Sequence, residues 1–204
     1  MTGKLKTISP VDGSVYVERS FADEGEIVRA LSLAVRAVEV WREVPLEERA
    51  AICGRAIDAM ITAMDRIAEE ITWQMGRPIR YTAGEIKGLE ERARHMIAVA
   101  PDVLHDTQAE EKDGFTRFIR HEALGVVFVI APWNYPYLTS VNSVIPALMA
   151  GNTVILKHSG QTPLAAERYA EAFAAAGLPT GVFQFLHLDH AATERIIKDA
   201  QVNF

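Results

Sequence analysis

The chain has 204 residues, 49% of them hydrophobic, enough to close the core of one large domain or two small ones. Its 21 Lys and Arg stand against 27 Asp and Glu, a formal charge of −6 with a pI near 5.5. No basic run of the kind that neutralises a phosphate backbone is present, so nucleic acid is not an expected partner. No apolar run reaches the roughly eighteen residues of a membrane span, and the opening MTGKLKTISPVDGS has no apolar centre. Neither a membrane anchor nor a secretory leader is expected, and a cytoplasmic location is the default.

From residue 23 to about residue 41, Ile27, Leu31, Ala34, Val35, Val38 and Trp41 recur at steps of three and four, which predicts an amphipathic helix. After Pro45 a second stripe runs through Leu46, Ala50, Cys53, Ile57, Met60, Ile61, Met64, Ile67 and Ile71. It predicts one continuous helix up to the stop at Gly76-Arg77-Pro78. Cys53 is the single cysteine, which excludes an internal disulfide and a Cys-only zinc site, and no metal site is expected. Lying within the stripe, it reads as a small buried thiol rather than a reactive one. A third helix is expected over residues 82–99, closed by Pro101.

Residues 105–121, HDTQAEEKDGFTRFIRH, change character. A polar loop with Asp113-Gly114 leads into residues 115–120, which alternate apolar and polar as a half-exposed strand does. Beyond this boundary come apolar strands at residues 126–130, 153–156 and 182–186, separated by predicted helices at 138–149 and 165–175 and followed by one at 191–200. Val202-Asn203-Phe204 then opens another apolar run. Strands apolar on both faces, with helices between them, predict an α/β fold with a parallel, doubly wound sheet.

In such sheets ligands sit beyond the carboxyl ends of the strands. The turn after the first strand, Pro132-Trp133-Asn134-Tyr135-Pro136, is therefore the place to look for chemistry. Its two prolines stiffen it, Trp133 offers an apolar face and Asn134 an amide donor suited to a developing oxyanion. Local chemistry leaves a second reading equally open, in which Asn134 caps the next helix. Lys157, at the end of the second strand, is either a surface lysine or a charge for a nucleotide ribose or phosphate.

The elements GVVFVIAPWNYP, IPALMAGNTVILKHS and AAAGLPTGVFQFL, in this order and spacing, resemble the aldehyde dehydrogenase superfamily, and the resemblance covers nearly all of residues 1–204. It implies NAD(P)-dependent oxidation of a small aldehyde to an acid. A cysteine thiolate attacks the carbonyl, an asparagine amide holds the oxyanion, hydride leaves to the nicotinamide, and a glutamate activates water for deacylation. Asn134 matches the oxyanion asparagine. Ile130, Ala131, Pro132 and Trp133 match the strand end and turn lining the cofactor cleft. Lys157 matches the lysine that reaches the adenosine ribose, with Ser159 and Gly160 beside it. The resemblance also divides the chain. Residues 1–108 correspond to the helical segment of the cofactor-binding domain, 109–124 to a strand of an oligomerisation hairpin, and 125–204 to an incomplete Rossmann-like NAD(P)-binding region. A homo-oligomer, dimer or tetramer, is implied.

Two departures from the family pattern matter. Lys-Pro-Ser-Glu is here Lys157-His158-Ser159-Gly160, so the carboxylate that grips the ribose hydroxyls of NAD is replaced by Gly160, and NADP becomes an expected cofactor beside NAD. The Lys-His variant resembles the branch that includes succinate-semialdehyde dehydrogenases. His158 has two readings, a structural imidazole or a contact to cofactor phosphate. The family's nucleophilic cysteine and general-base glutamate lie beyond the equivalent of Phe204, and Cys53 does not match the former. The chain is thus expected to be the N-terminal part of a longer enzyme, inactive alone. The alternative is a truncated, non-catalytic fragment that binds a nucleotide or a partner.

Overall fold

The computed structural model describes residues 3–204. It opens with an antiparallel hairpin of β1 (Lys4–Ile8) and β2 (Val15–Ser20). The hairpin turns at Gly13, whose φ of 77° lies in the left-handed region that glycine tolerates. Asp12 Oδ1 accepts from Ser14 N–H at 2.9 Å in the same turn. Leu5, Thr7 and Val17 are buried. The first part of the segment expected to be helical is therefore a hairpin, and helices begin only after it.

Helix α1 (Glu24–Trp41) starts at a reciprocal capping box in which Asp23 accepts from Glu26 N–H and Glu26 from Asp23 N–H. The second apolar stripe is two helices, α2 (Leu46–Thr62) and α3 (Met64–Met75), rather than one. At the junction Thr62 Oγ1 donates to the Asp58 carbonyl at 2.9 Å, a back-bond that bends helices. Ala63 leaves helical geometry there, with φ −90° and ψ 10°. Helix α4 (Ile79–Leu104) is longer at both ends than expected and carries Pro101 inside its last turn. Proline forfeits one backbone bond, yet the turn beyond it persists because Leu104 packs on the core.

A short hairpin follows, β3 (Thr107–Gln108) against β4 (Phe118–Ile119). The ladder within the strand expected over residues 115–120 is thus those two residues, with Phe115 in a separate bridge to Lys112. Then β5 (Val126–Ala131), α5 (Pro136–Met149), β6 (Thr153–His158), α6 (Leu164–Ala175), β7 (Phe183–Phe185) and α7 (His190–Ile197) alternate. The sheet order is β5-β6-β7, all parallel. The terminal backbone lies along the other edge of β5, Phe128 N–H donating to the Phe204 carbonyl at 2.8 Å and Phe204 N–H to that of Val126 at 3.3 Å.

Alternate strand residues bury into two cores. Val127, Val129, Val154 and Leu156 pack with α2, α4, α5 and α6. Val126 and Ile155 pack with Ile27, Leu31 and Ala34 of α1 and Ala192 and Ile196 of α7. Helices on both faces of a parallel sheet make the fold doubly wound, as the pattern predicts. Between layers, Trp41 Nε1 donates to the Leu148 carbonyl at 3.0 Å. Arg168 of α6 pairs with Glu70 of α3 at 2.9 Å, with both side chains about nine-tenths buried. Removing one partner of such a pair costs about 3–5 kcal/mol, although the pair itself adds little net stability.

Candidate functional site at the carboxyl ends of the strands

The turn after β5 has an unusual backbone. Tyr135 precedes α5 with φ 57° and ψ 59°, a non-glycine residue in left-handed geometry. Such a conformation costs on the order of 1–3 kcal/mol and persists only where neighbours hold it. Here the Arg77 guanidinium lies over the Tyr135 ring, 4.7 Å from its centroid. Pro136 follows as the first helical residue, where its missing N–H is no loss.

Asn134 does not cap α5, which has no side-chain cap from its own N-terminal residues. Among the described residues, the hydrogen bond recorded for Asn134 runs through its carbonyl, which accepts from Thr139 Oγ1 at 3.4 Å. Its exposed side chain borders a cavity of about 270 Å³ lined by Met75, Gly76, Arg77, Asn134 and Tyr135. The capping work is done by Glu85 of α4, whose Oε1 accepts from Tyr137 N–H at 2.9 Å. Its Oε2 pairs with Arg77 Nη1 at 2.6 Å. Burial raises the Glu85 carboxyl above its ordinary pKa, opposed by the Tyr137 and Leu138 N–H groups and Arg77.

The turn after β6 lies alongside. Ile130 and Ala131 stand opposite Lys157 and His158 in the parallel register, and Ser159 N–H donates to the Ala131 carbonyl at 3.0 Å. His158 is buried. Its Nε2 meets the Pro136 carbonyl at 3.1 Å, and its Nδ1 meets Ser159 N–H at 3.0 Å and Thr162 Oγ1 at 3.1 Å. These partners assign the proton to Nε2. Burial pushes its pKa down to about 4, the Pro136 bond opposing and Lys157 reinforcing the change. The imidazole ties one turn to the other, which decides for the structural reading of His158.

Lys157 is half-buried, and burial alone lowers its ammonium pKa, with no carboxylate acting against that effect. Among the described residues it forms no ion pair within 4 Å. Ile130 on the same face and Trp133 in the first turn are each about half exposed. Gly160 is covered by the first hairpin: its carbonyl accepts from Thr7 Oγ1 at 2.7 Å, and Leu5 lies above its Cα. Arg19 of β2 pins that hairpin to α6 through two bonds to Glu167, at 2.8 and 3.0 Å. His187 Nε2 meets the same carboxylate at 3.0 Å. Burial works to raise the Glu167 pKa, but the bonds from His187 and Arg19 outweigh it and hold the group at about 2.

The residues singled out from sequence, Ile130, Ala131, Pro132, Trp133, Asn134, Lys157, Ser159 and Gly160, therefore occupy the carboxyl ends of β5 and β6 and the two cross-bonded turns that follow them. Ser159 spends its hydroxyl locally, accepting from Gln161 N–H at 3.2 Å. Sequence reasoning missed Arg77, Glu85 and Thr7. A signal for Glu85 existed, since it stands among Thr82, Ile86 and Leu89 on the buried face of its helix, where an unpaired carboxylate is not tolerated.

The sequence model of the aldehyde dehydrogenase family matches residues 1–204. The chain is 33% identical to a succinate-semialdehyde dehydrogenase (NADP+) of Deinococcus radiodurans over 191 residues, 94% of this chain and 40% of that protein. The succinic semialdehyde dehydrogenase of Streptococcus pyogenes in complex with NADP+ superposes with a TM-score of 0.90 at 25% identity, over 97% of this chain and 44% of that one. An NAD-dependent benzaldehyde dehydrogenase of Corynebacterium glutamicum superposes at 0.91 with 28% identity, over 98% and 44%. The chain thus spans about two fifths of the length of these relatives. A match along the whole chain, with the same fold, places it in the aldehyde dehydrogenase family.

Proposed function

We propose that the complete protein oxidises a small aldehyde to its acid with NADP, or with NAD less well, and that this chain supplies the oxyanion donor and much of the cofactor cleft. The observation that carries the reading is the free Asn134 side chain at the tip of β5, its capping role taken by Glu85. A preorganised amide at a strand end, with no helix terminus to satisfy, suits the oxygen of a carbonyl under attack. The names of relatives favour succinate semialdehyde as the aldehyde.

A nicotinamide dinucleotide supplies the hydride acceptor when bound, and the residues present fit one. Lys157 offers an unpaired, half-buried ammonium, Ile130 and Trp133 offer apolar surface, and Gly160 leaves no carboxylate to repel a 2′-phosphate. Ala131 and Ser159 hold the two turns together through their backbones. Within this scheme residues 1–108 and 125–204 build the cofactor-binding region. Residues 109–124 contribute to an oligomerisation hairpin, supported by the exposure of Phe115, Phe118 and Ile119, and homo-oligomerisation follows.

The test is Asn134→Ala in the complete protein, assayed with succinate semialdehyde and NADP. Loss of one oxyanion donor lowers kcat by about 10²–10³-fold. An unchanged rate, with the chemical step limiting, removes Asn134 from the role.

A further inference from the structure

The geometry points to Glu85, backed by Arg77, as a positioning residue that keeps the Asn134 amide available by capping α5 from another helix. This inference rests on the oxyanion reading of Asn134. Asparagine is among the best helix N-caps, and Asn134 stands one residue ahead of Tyr135, the N-cap position of α5. With Pro136 lacking an N–H, the first donors that need an acceptor are those of Tyr137 and Leu138. The first is answered by the Glu85 carboxylate at 2.9 Å, and the second lowers the Glu85 pKa from nearby. A charged acceptor wins over the neutral oxygen of an amide, so Asn134 Oδ1 is not drawn to the helix end and Nδ2 is not turned away from the cavity.

Three further observations show that the arrangement is built for that end. The Glu85 side chain has no exposure at all, and its second oxygen is held by Arg77, so the carboxylate has one available orientation. The same guanidinium stacks on Tyr135, which keeps that residue in left-handed geometry. If Tyr135 relaxed to right-handed helical angles, α5 would gain a turn position and Asn134 would become its cap. One turn along α4 from Glu85, a Cβ on Gly88 would come within 2.9 Å of Leu138 Cδ1. The glycine thus leaves room for the Leu138 side chain of α5 beside the helix that carries Glu85. Glu85, wholly buried, and Arg77, at the wall of the Asn134 cavity, thus hold both the residue after Asn134 and the helix behind it.

The experiment is a double-mutant cycle in the complete enzyme, read as the single-turnover rate with succinate semialdehyde and NADP. Glu85→Gln keeps an oxygen near Tyr137 N–H but loses the charge and the Arg77 pair. It is expected to slow the step about ten- to a hundredfold, the scale of a misplaced reacting group, with KM changed by less than about twofold. In the Asn134→Ala background the same change is expected to cost less than about twofold, because there is no amide left to misplace. Equal losses in both backgrounds would show a structural cap only and overturn the inference while leaving Asn134 in its role. No loss from Glu85→Gln in the wild type would also overturn it. No loss from Asn134→Ala would remove the oxyanion reading itself, and this inference with it. If Glu85→Gln does not fold, Arg77→Lys, at a partly exposed position, keeps a cation for Glu85 and loses the flat surface on Tyr135. The same background dependence is required of it. A structure of either variant should show the Asn134 side chain turned onto the helix N-terminus, and an unmoved side chain contradicts the proposal.

Discussion

Burial of His158 makes the protein acid-sensitive in a defined window. The ring is 3% exposed, and its Nδ1 accepts from Ser159 N–H and Thr162 Oγ1, so a second proton would set donor against donor in a site that water does not reach. Its pKa is pushed down to about 4 from the ordinary 6.5. Between these values the unfolded chain binds a proton that the folded one does not, so stability rises with pH there. The contribution is complete above pH 6.5, falls as the pH drops toward 4, and is flat below. At roughly 1.4 kcal/mol per pH unit, the whole window is worth about 3 kcal/mol. Other groups overlap it. The raised carboxyl of Glu85 acts in the opposite sense just above 4.5, and Glu167, held at about 2, loses its contribution below 4.5. The comparison must therefore be with His158→Gln, which keeps a donor for the Pro136 carbonyl and does not titrate. Urea unfolding followed by circular dichroism at pH 7.5 and 4.5 should show the wild type losing about 2–3 kcal/mol more than the variant, with equal m-values. Parallel losses would mean that the imidazole is neither buried nor neutral as described.

Two further substitutions probe the same edge and its support. Gly160→Glu adds a Cβ that meets nothing nearer than Leu5 Cδ1 at 3.6 Å, an ordinary contact. By restoring a charged hydrogen bond to the ribose it should move the ratio of kcat/KM for NADP over NAD about tenfold or more toward NAD. A ratio that does not move refutes the account of Gly160. Gly181→Ala should lower stability by about 2–4 kcal/mol, because Gly181 has φ +91° and a Cβ would come within 2.8 Å of Leu33 Cγ and 3.1 Å of Ala37 Cβ. An unchanged urea midpoint would contradict that packing.

The parallel sheet was legible because each of its strands is apolar on both faces, and each helix between them ends at a recognisable signal such as Ala176-Gly177-Leu178-Pro179. The same periodicity hid the break at Ala63, since Ile67 and Ile71 continue the spacing of Ile57 and Met60 while the helix axis changes. The opening hairpin carried an alternating pattern and an Asp12-Gly13 turn, but its buried side holds little more than Leu5, Thr7 and Val17. A strand so sparsely apolar gives a weak signal. At the site, Asn134 and Lys157 could be placed by their strand ends, whereas the choice between cap and free amide could not be made locally. It depends on Glu85, which meets α5 across a separation of 52 residues.

That dependence is general along this edge. The turn after β5 takes its cap from α4, and the turn after β6 takes its cover from β1 through Thr7, 153 residues away in the chain. His158 and the Ser159 N–H then bind the two turns to each other. Local capping groups would have been simpler, but on the proposed reading the polar residue at hand in each turn is one whose exposed group serves the reaction or the cofactor. Asn134 cannot serve both a helix N-terminus and an oxyanion, because its oxygen would be fixed toward Tyr137 and its amide nitrogen with it. Lys157 cannot both pair with a carboxylate and remain attractive to phosphate. Supplying the structural contacts from remote, buried side chains resolves the conflict, and it has a cost that mutation would reveal. Changes at Glu85, Arg77 or Thr7, none of them at the tips of the sheet, should disturb the two turns as surely as changes within them.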